Sequence, residues 1–321
     1  MGVYHLMGLG RSLGTVTGPV SYLAMRYQRW NKDDQEFFSL SGEAAQREKG
    51  EKVGDIESLV LFTSREVRNG EMDCYEFIDN RPGHCAPPAT LSKQKMPDAL
   101  RRYLPAEWKP VAKQRSEGRL FWCDVHRGDL LSTFERVSRV LGALKSTGSL
   151  GKEMWINLTG GNNVINLSLE LAATLGRYPA RFYYVQGEGV AGKCIRYTRE
   201  EGYWVDLPLL TVSPDHLGRF VVEEVERLGG TNCGDLFSRM KQAHSQEMQE
   251  VDGVEHFRRL VVRPLLNQGI LKQLAGANVG VGGTWHLLKQ YYSAIDELES
   301  QPPNVEGLSK EGWFSEDRIV L

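Results

Sequence analysis

A chain of 321 residues is long enough for two domains, each with its own core. Hydrophobic residues make up 41% and charged residues 25%, the balance of a globular protein rather than a disordered or fibrous one. A net charge of −2 excludes a global pull on nucleic acid or anionic membrane, so any such attraction must come from a local patch.

Gly2–Met7 is a short apolar run ending in a glycine turn, and it predicts a strand. Gly14–Trp30 carries helical spacing, with Val16, Val20, Leu23 and Tyr27 on one face. Residues 31–55 are polar and predict a loop with a short helix, before a buried strand at Ile56–Phe62. Residues 65–118 read as an insertion, because RPGHCAPPA resists regular structure and only a helical piece around Asp98–Tyr103 follows. Regularity resumes with a strand at Arg119–Val125 and a helix at Leu130–Lys145. A strand at Met154–Leu158, a helix at Val164–Leu175 and a strand at Ala180–Val185 come next. Lys193–Thr198 and Tyr203–Leu209 predict a hairpin. Repeated strand–helix–strand units imply an α/β fold, a parallel sheet flanked by helices, with ligands at the carboxyl ends of its strands.

Composition changes near Thr211, giving domains at 1–210 and 211–299. Helices are predicted at Asp215–Leu228, Cys233–Glu250 and Val254–Gln268, the last with Leu260, Val261, Leu265 and Leu266 inward. A Gly-rich hairpin with its tip at Gly276–Gly283 completes a smaller, mainly α winged-helix-like domain. Residues 300–321 read as an extended tail.

Five scattered cysteines (Cys74, Cys85, Cys123, Cys194, Cys233) do not form a disulfide framework and point to a reducing cytoplasm. The opening MGVYHLMGLG lacks the marks of a signal peptide, and no apolar run reaches the roughly 20 residues of a membrane span.

Two turns carry anion-binding chemistry. Gly8-Leu9-Gly10-Arg11-Ser12-Leu13-Gly14 follows the first strand and opens a helix, with Thr15 and Thr17 just beyond. Glycine lets backbone approach a phosphate, and the amides of a helix N-terminus attract it. The spacing is GxGxxxG rather than the dinucleotide GxGxxG, and a plain structural turn is the competing reading. The second turn is Thr159-Gly160-Gly161-Asn162-Asn163, again between strand and helix, with Thr159 placed to cap that helix. Thr63-Ser64-Arg65 ends another strand and is a weaker third.

A first strand ending in a Gly/Ser/Thr loop, then about 150 residues later a strand ending in Asn157-Leu158-Thr159-Gly160-Gly161, resembles the CRISPR-associated Rossmann fold (CARF) family. The resemblance covers roughly residues 1–210. It implies a Rossmann-like domain whose homodimer binds cyclic oligoadenylate, usually the tetra-adenylate, as an accessory to type III CRISPR defence. The implied ligand-binding residues are Gly8, Gly10, Arg11, Ser12, Thr15, Thr17, Thr159, Gly160, Gly161, Asn162 and Asn163. A bulky residue at Gly161 is expected to block the ligand without unfolding the protein. Many members carry lysine after TGG, where this chain has Asn162, and Arg11 is placed to supply the missing charge. The family implies no cofactor. If the ligand is cut as well as sensed, the route is a metal-independent ring nuclease with Arg11 and Ser12 as the catalytic residues.

Residues 256–295 hold Arg258, Arg259, Arg263, Lys272 and Lys289 and not one Asp or Glu. Arg258, Arg259, Arg263 and Lys272 are the expected nucleic-acid contacts of a helix-plus-wing reader of DNA; dimerisation or packing is the alternative. Arg239 and His244 match the R-x4-H pattern of HEPN ribonucleases, a short pattern on a region small for that bundle. No metal site is expected: His84-Cys85 and Cys123-x2-His126 do not supply four converging ligands.

Overall fold

The computed structural model describes residues 2–39, 52–72, 74–75, 91–92, 95–146, 153–176, 181–185, 204–207 and 216–321. The chain divides into two compact units, Met1–Leu209 with Glu297–Leu321, and Leu210–Asp296.

The order opens β1 (Val3–Gly8), α1 (Gly14–Arg29), α2 (Lys32–Phe38), β2 (Ile56–Thr63) and α3 (Arg65–Arg68). Next come the short pair β3 (Cys74–Tyr75) and β4 (Leu91–Ser92), α4 (Met96–Trp108), β5 (Glu117–Asp124) and α5 (Leu130–Ser146). Then follow β6 (Glu153–Asn157), α6 (Asn163–Gly176), β7 (Arg181–Val185) and β8 (Trp204–Leu207). The chain continues through α7 (His216–Leu228), β9 (Thr231–Asn232), α8 (Cys233–Ala243), α9 (Val254–Phe257), a π-helical turn (Arg258–Val262) and α10 (Arg263–Asn267). It closes with β10 (Leu271–Gln273), β11 (Asn278–Val281), α11 (Gly283–Ser300), α12 (Val305–Ser309) and β12 (Phe314–Val320).

The main sheet has the order β12-β5-β2-β1-β6-β7-β8. Its five central strands are parallel, and β12 and β8 are antiparallel edges. Counting only the parallel strands, the order is 3-2-1-4-5, the Rossmann arrangement, and it reverses between β1 and β6. Successive strand residues point to opposite faces, so both faces of β1 are apolar and both are covered. Val3 and Met7 join the core with Val16, Val20 and Leu23 of α1 and Leu100, Leu104 and Trp108 of α4. The helices α5 and α6 pack on each other, with Phe134, Val137, Leu141 and Leu169 buried.

Several expectations are corrected. The region 95–118 is not an insertion: α4 is the crossover that a parallel β2-to-β5 connection requires, and its Leu100, Leu104 and Trp108 are fully buried. Tyr203–Leu209 contributes β8, which pairs with β7; the other half of the predicted hairpin, Lys193–Thr198, lies outside the described residues. Residues 300–321 are not an extended tail. They form α12 and β12, and β12 pairs along the whole of β5 with Phe314 and Ile319 buried.

The second unit joins α7, α8 and the 254–267 helix to a three-stranded sheet β10-β11-β9, the winged-helix arrangement. Its wing tip lies at Leu274–Ala277, between β10 and β11, not at Gly276–Gly283. Helix α8 ends at Ala243, short of the expected Glu250. Phe257, Val261, Val262 and Leu265 are buried, and Leu260 is 51% exposed rather than inward. The π-helical turn explains that: an extra residue per turn brings Val262 onto the face begun by Phe257 and leaves Leu260 outside. A sheet in this unit does not fit a HEPN helical bundle. Arg239 reaches Glu224, and His244 stacks on Phe220 at 4.1 Å.

Candidate functional site

The two glycine turns meet where the strand order reverses. In the first, the Leu9 N–H donates to Phe62 O (2.8 Å) and Thr63 Oγ1 donates to Leu9 O (2.8 Å), fastening the turn to the end of β2. Thr15 Oγ1 donates to Ser12 O at 2.8 Å and closes the loop onto α1. Gly10, Arg11 and Ser12 are half-buried at its surface. Ser12 Oγ is buried with no hydrogen-bond partner among the described residues, a costly condition for a hydroxyl.

The second turn is built by asparagines. Asn157 Oδ1 accepts from the Thr159 N–H at 2.8 Å, and Asn166 Nδ2 donates to Leu158 O at 3.1 Å. Asn162, not Thr159, caps α6: its Oδ1 accepts from the Ile165 N–H (2.9 Å) while its Nδ2 donates to Arg127 O (3.0 Å). Thr159 Oγ1 instead accepts from the Val185 N–H at 2.7 Å, tying the turn to β7. Asn163 is exposed at the first position of α6.

The turns interlock through their glycines. A Cβ on Gly160 would overlap the carbonyl oxygen of Gly8, and one on Gly8 would come within 2.9 Å of Gly160 O. Gly161 has φ +81°, and its Cβ would lie 3.0 Å from Gly8 Cα. These three glycines are required for backbone to pack on backbone, so a bulky residue at Gly161 perturbs the fold, contrary to the expectation from sequence. Gly10 differs: a Cβ there meets nothing nearer than 3.9 Å. Pro19 completes the junction. It removes the N–H that Thr15 O would accept within α1, and Asn157 Nδ2 donates to that carbonyl at 3.5 Å.

Of the residues expected to touch ligand, Asn163 is exposed and Gly10, Arg11, Ser12, Thr15, Thr159, Gly161 and Asn162 are half-buried. Thr17 is fully buried in α1 and donates to Leu13 O at 3.3 Å. Gly8 and Gly160 are buried by the interlock. The roles of Asn157 and Asn166 were not foreseen; Asn157 lies two residues before the TGG turn and Asn166 five after it, where a side-chain amide has backbone to hold. Behind the junction, His5 of β1 is fully buried 3.0 Å from the Tyr183 hydroxyl. Burial, with the Arg181 charge adding, pulls its pKa down to about 3, so it is neutral.

Arg258, Arg259, Arg263 and Lys272 are all exposed on the second unit. Cys123 is buried in β5, where burial drives its thiol pKa well up; His84 and Cys85 lie outside the described residues. No group of three His, Cys, Asp or Glu among the described residues is placed to hold a metal ion. No helix among them is long and apolar enough to cross a membrane.

No protein-family model matches the chain. It is 29% identical over 216 residues to an uncharacterized protein of Archaeoglobus fulgidus, a match covering 65% of this chain and 62% of that one. The chain thus spans less than two thirds of that relative's length. Among solved structures, the crystal structure of protein VC1899 from Vibrio cholerae aligns over 93% of this chain and 69% of its own, with a TM-score of 0.31 and 8% identity.

Proposed function

We propose that the chain is a cytoplasmic sensor that binds cyclic oligoadenylate, the tetra-adenylate first, across a homodimer, as an accessory to CRISPR defence. The winged-helix unit is its output, reading DNA. The observation that carries this reading is the interlock of two glycine turns at the reversal of strand order, the place where open α/β sheets hold nucleotides. Arg11 supplies charge there, and backbone amides and Asn163 supply donors.

A second reading, metal-independent cleavage of the ring, is favoured by Ser12. Its Oγ is unpartnered among the described residues and adjoins Arg11 in sequence, and a group aimed at developing charge does more for a transition state than for a ground state. One experiment tests both. The protein is incubated with labelled cyclic tetra-adenylate in EDTA, and binding and product are resolved for wild type and Arg11→Ala. The sensor reading expects saturable binding that Arg11→Ala weakens about tenfold or more, the effect of one charge-assisted bond. Linear product with 2′,3′-cyclic phosphate ends adds the nuclease reading, and intact ring after long incubation removes it. No binding by wild type overturns the whole proposal.

A further inference from the structure

Next to the glycine junction, on the same rim of the sheet, the ends of β2 and β5 open into a cavity of about 1100 Å³. It is lined by Arg65, Arg68 and Glu66 after β2, by the 124–129 loop after β5, by Arg136 of α5, and by Glu311–Trp313 ahead of β12. Every part of it belongs to the first unit. Nothing in the glycine turns uses this cavity; Asn162 touches its wall through Arg127 O.

Its four arginines and four carboxylates balance in number but are not paired one to one. Asp124 is taken by Arg68 at 3.2 Å, and Arg68 also donates to Ser315 Oγ at 2.6 Å. Glu311 is held by both terminal nitrogens of Arg139, from the neighbouring turn of α5. Asp129 Oδ1 accepts from the Ser132 N–H at 3.0 Å, capping the start of α5. Glu66 is held below the ordinary carboxylate range, first by its own backbone N–H and more weakly by Arg127 and His126. Asp124 and Glu311 are therefore ion-paired to Arg68 and Arg139, with the Arg136 charge acting on Glu311 more weakly. None of Arg65, Arg127 and Arg136 makes an ion pair among the described residues. Arg136 Nη1 donates to Asp124 O at 2.5 Å. Its Nη2 lies 3.4 Å from His126 Nε2, and its guanidinium sits 5.3 Å from the centre of the Trp313 ring. Arg127 contacts the Met72 sulfur at 3.5 Å and is otherwise exposed.

Guanidinium groups that line a cavity without forming an ion pair of their own fit a phosphate, whose oxygens take their forked N–H pairs. The volume is far larger than a phosphate alone and matches sites that hold small molecules. We infer that this cavity binds the phosphate monoester of a nucleotide on Arg127 and Arg136, with Arg65 adding charge at the mouth. The site is distinct from the glycine junction and does not depend on cyclic oligoadenylate being the ligand there.

The test is calorimetric titration of the full chain with adenosine 5′-monophosphate, inorganic phosphate and adenosine. Saturable binding of the nucleotide is expected, with phosphate competing and adenosine at least about tenfold weaker. Arg136→Gln and Arg127→Gln should each weaken the nucleotide at least about tenfold, and Arg11→Ala should leave it unchanged. If Arg136→Gln loses its fold by thermal melt, the exposed Arg127→Gln decides. Absence of saturable binding, adenosine binding as tightly as its phosphate, or full affinity in Arg127→Gln overturns the site. Nucleotide binding that is lost in Arg11→Ala and kept in Arg127→Gln places the ligand at the glycine turns and overturns it equally.

Discussion

Gly10 and Gly160 are the same letter in the sequence, yet their surroundings assign them opposite jobs. A methyl group at Gly160 strikes the Gly8 carbonyl, a rigid neighbour, so Gly160→Ala should cost about 1–3 kcal/mol, as overpacking does. Gly161→Ala must also adopt φ +81°, which adds about 1–2 kcal/mol of backbone strain. Gly10→Ala meets open space and should stay within about 0.5 kcal/mol of wild type. Urea denaturation of the three variants checks the order, and a Gly160→Ala protein as stable as Gly10→Ala would refute the interlock. Ser12 sharpens the contrast. Removing a buried hydroxyl that has no partner among the described residues should leave stability unchanged or slightly raised, so any loss of ligand affinity in Ser12→Ala is a loss of function alone.

At the scale of elements, β12 decides whether the C-terminal residues are a dispensable tail. It buries Phe314 and Ile319 and places Glu316 and Asp317 on Arg119 and Arg101. Re-exposing the two apolar side chains costs about 4 kcal/mol before the lost ladder with β5 is counted, against a typical total of about 5–15. Truncation after Ser300 should therefore lower the melting temperature by many degrees or leave the protein insoluble, with the paired edge of β5 uncovered. A truncated chain melting with wild type would show that β12 contributes nothing. The same element shows why some of the fold was illegible. The strands of the parallel core are apolar on both faces, and α1 spaces Val16, Val20, Leu23 and Tyr27 three to four positions apart, so each announces itself locally. FSEDRIV does not: its central four residues are polar, and what makes it a strand is a partner nearly 200 residues earlier in the chain. The glycine turns were legible because each is one short run, whereas Arg65, Arg127, Arg136 and Trp313 are gathered into one cavity only by sheet order.

At the scale of the whole molecule, charge separates the proposed output from the rest. A net charge of −2 gives the protein no general affinity for DNA, so binding must rest on the exposed Arg258, Arg259, Arg263 and Lys272. Glu255 lines the same groove as Arg258, Arg259 and Arg263 and is the one acid among its lining residues, which keeps the patch small. Four phosphate contacts predict a slope of about −3.6 in log K against log salt, or roughly a hundredfold weaker binding from 50 to 200 mM. Fluorescence anisotropy on a short duplex across that range measures it. Reversing Arg258 and Arg259 to glutamate removes two contacts and places two like charges against the backbone, so binding should vanish even at the lowest salt. Because both side chains lie on the exposed face of the π-helical turn, while Val261 and Val262 hold the core beneath, the double variant should melt with wild type. A slope shallower than about −1, or a double variant that still binds, would mean the basic face is not a phosphate reader and would leave the winged helix as a packing module.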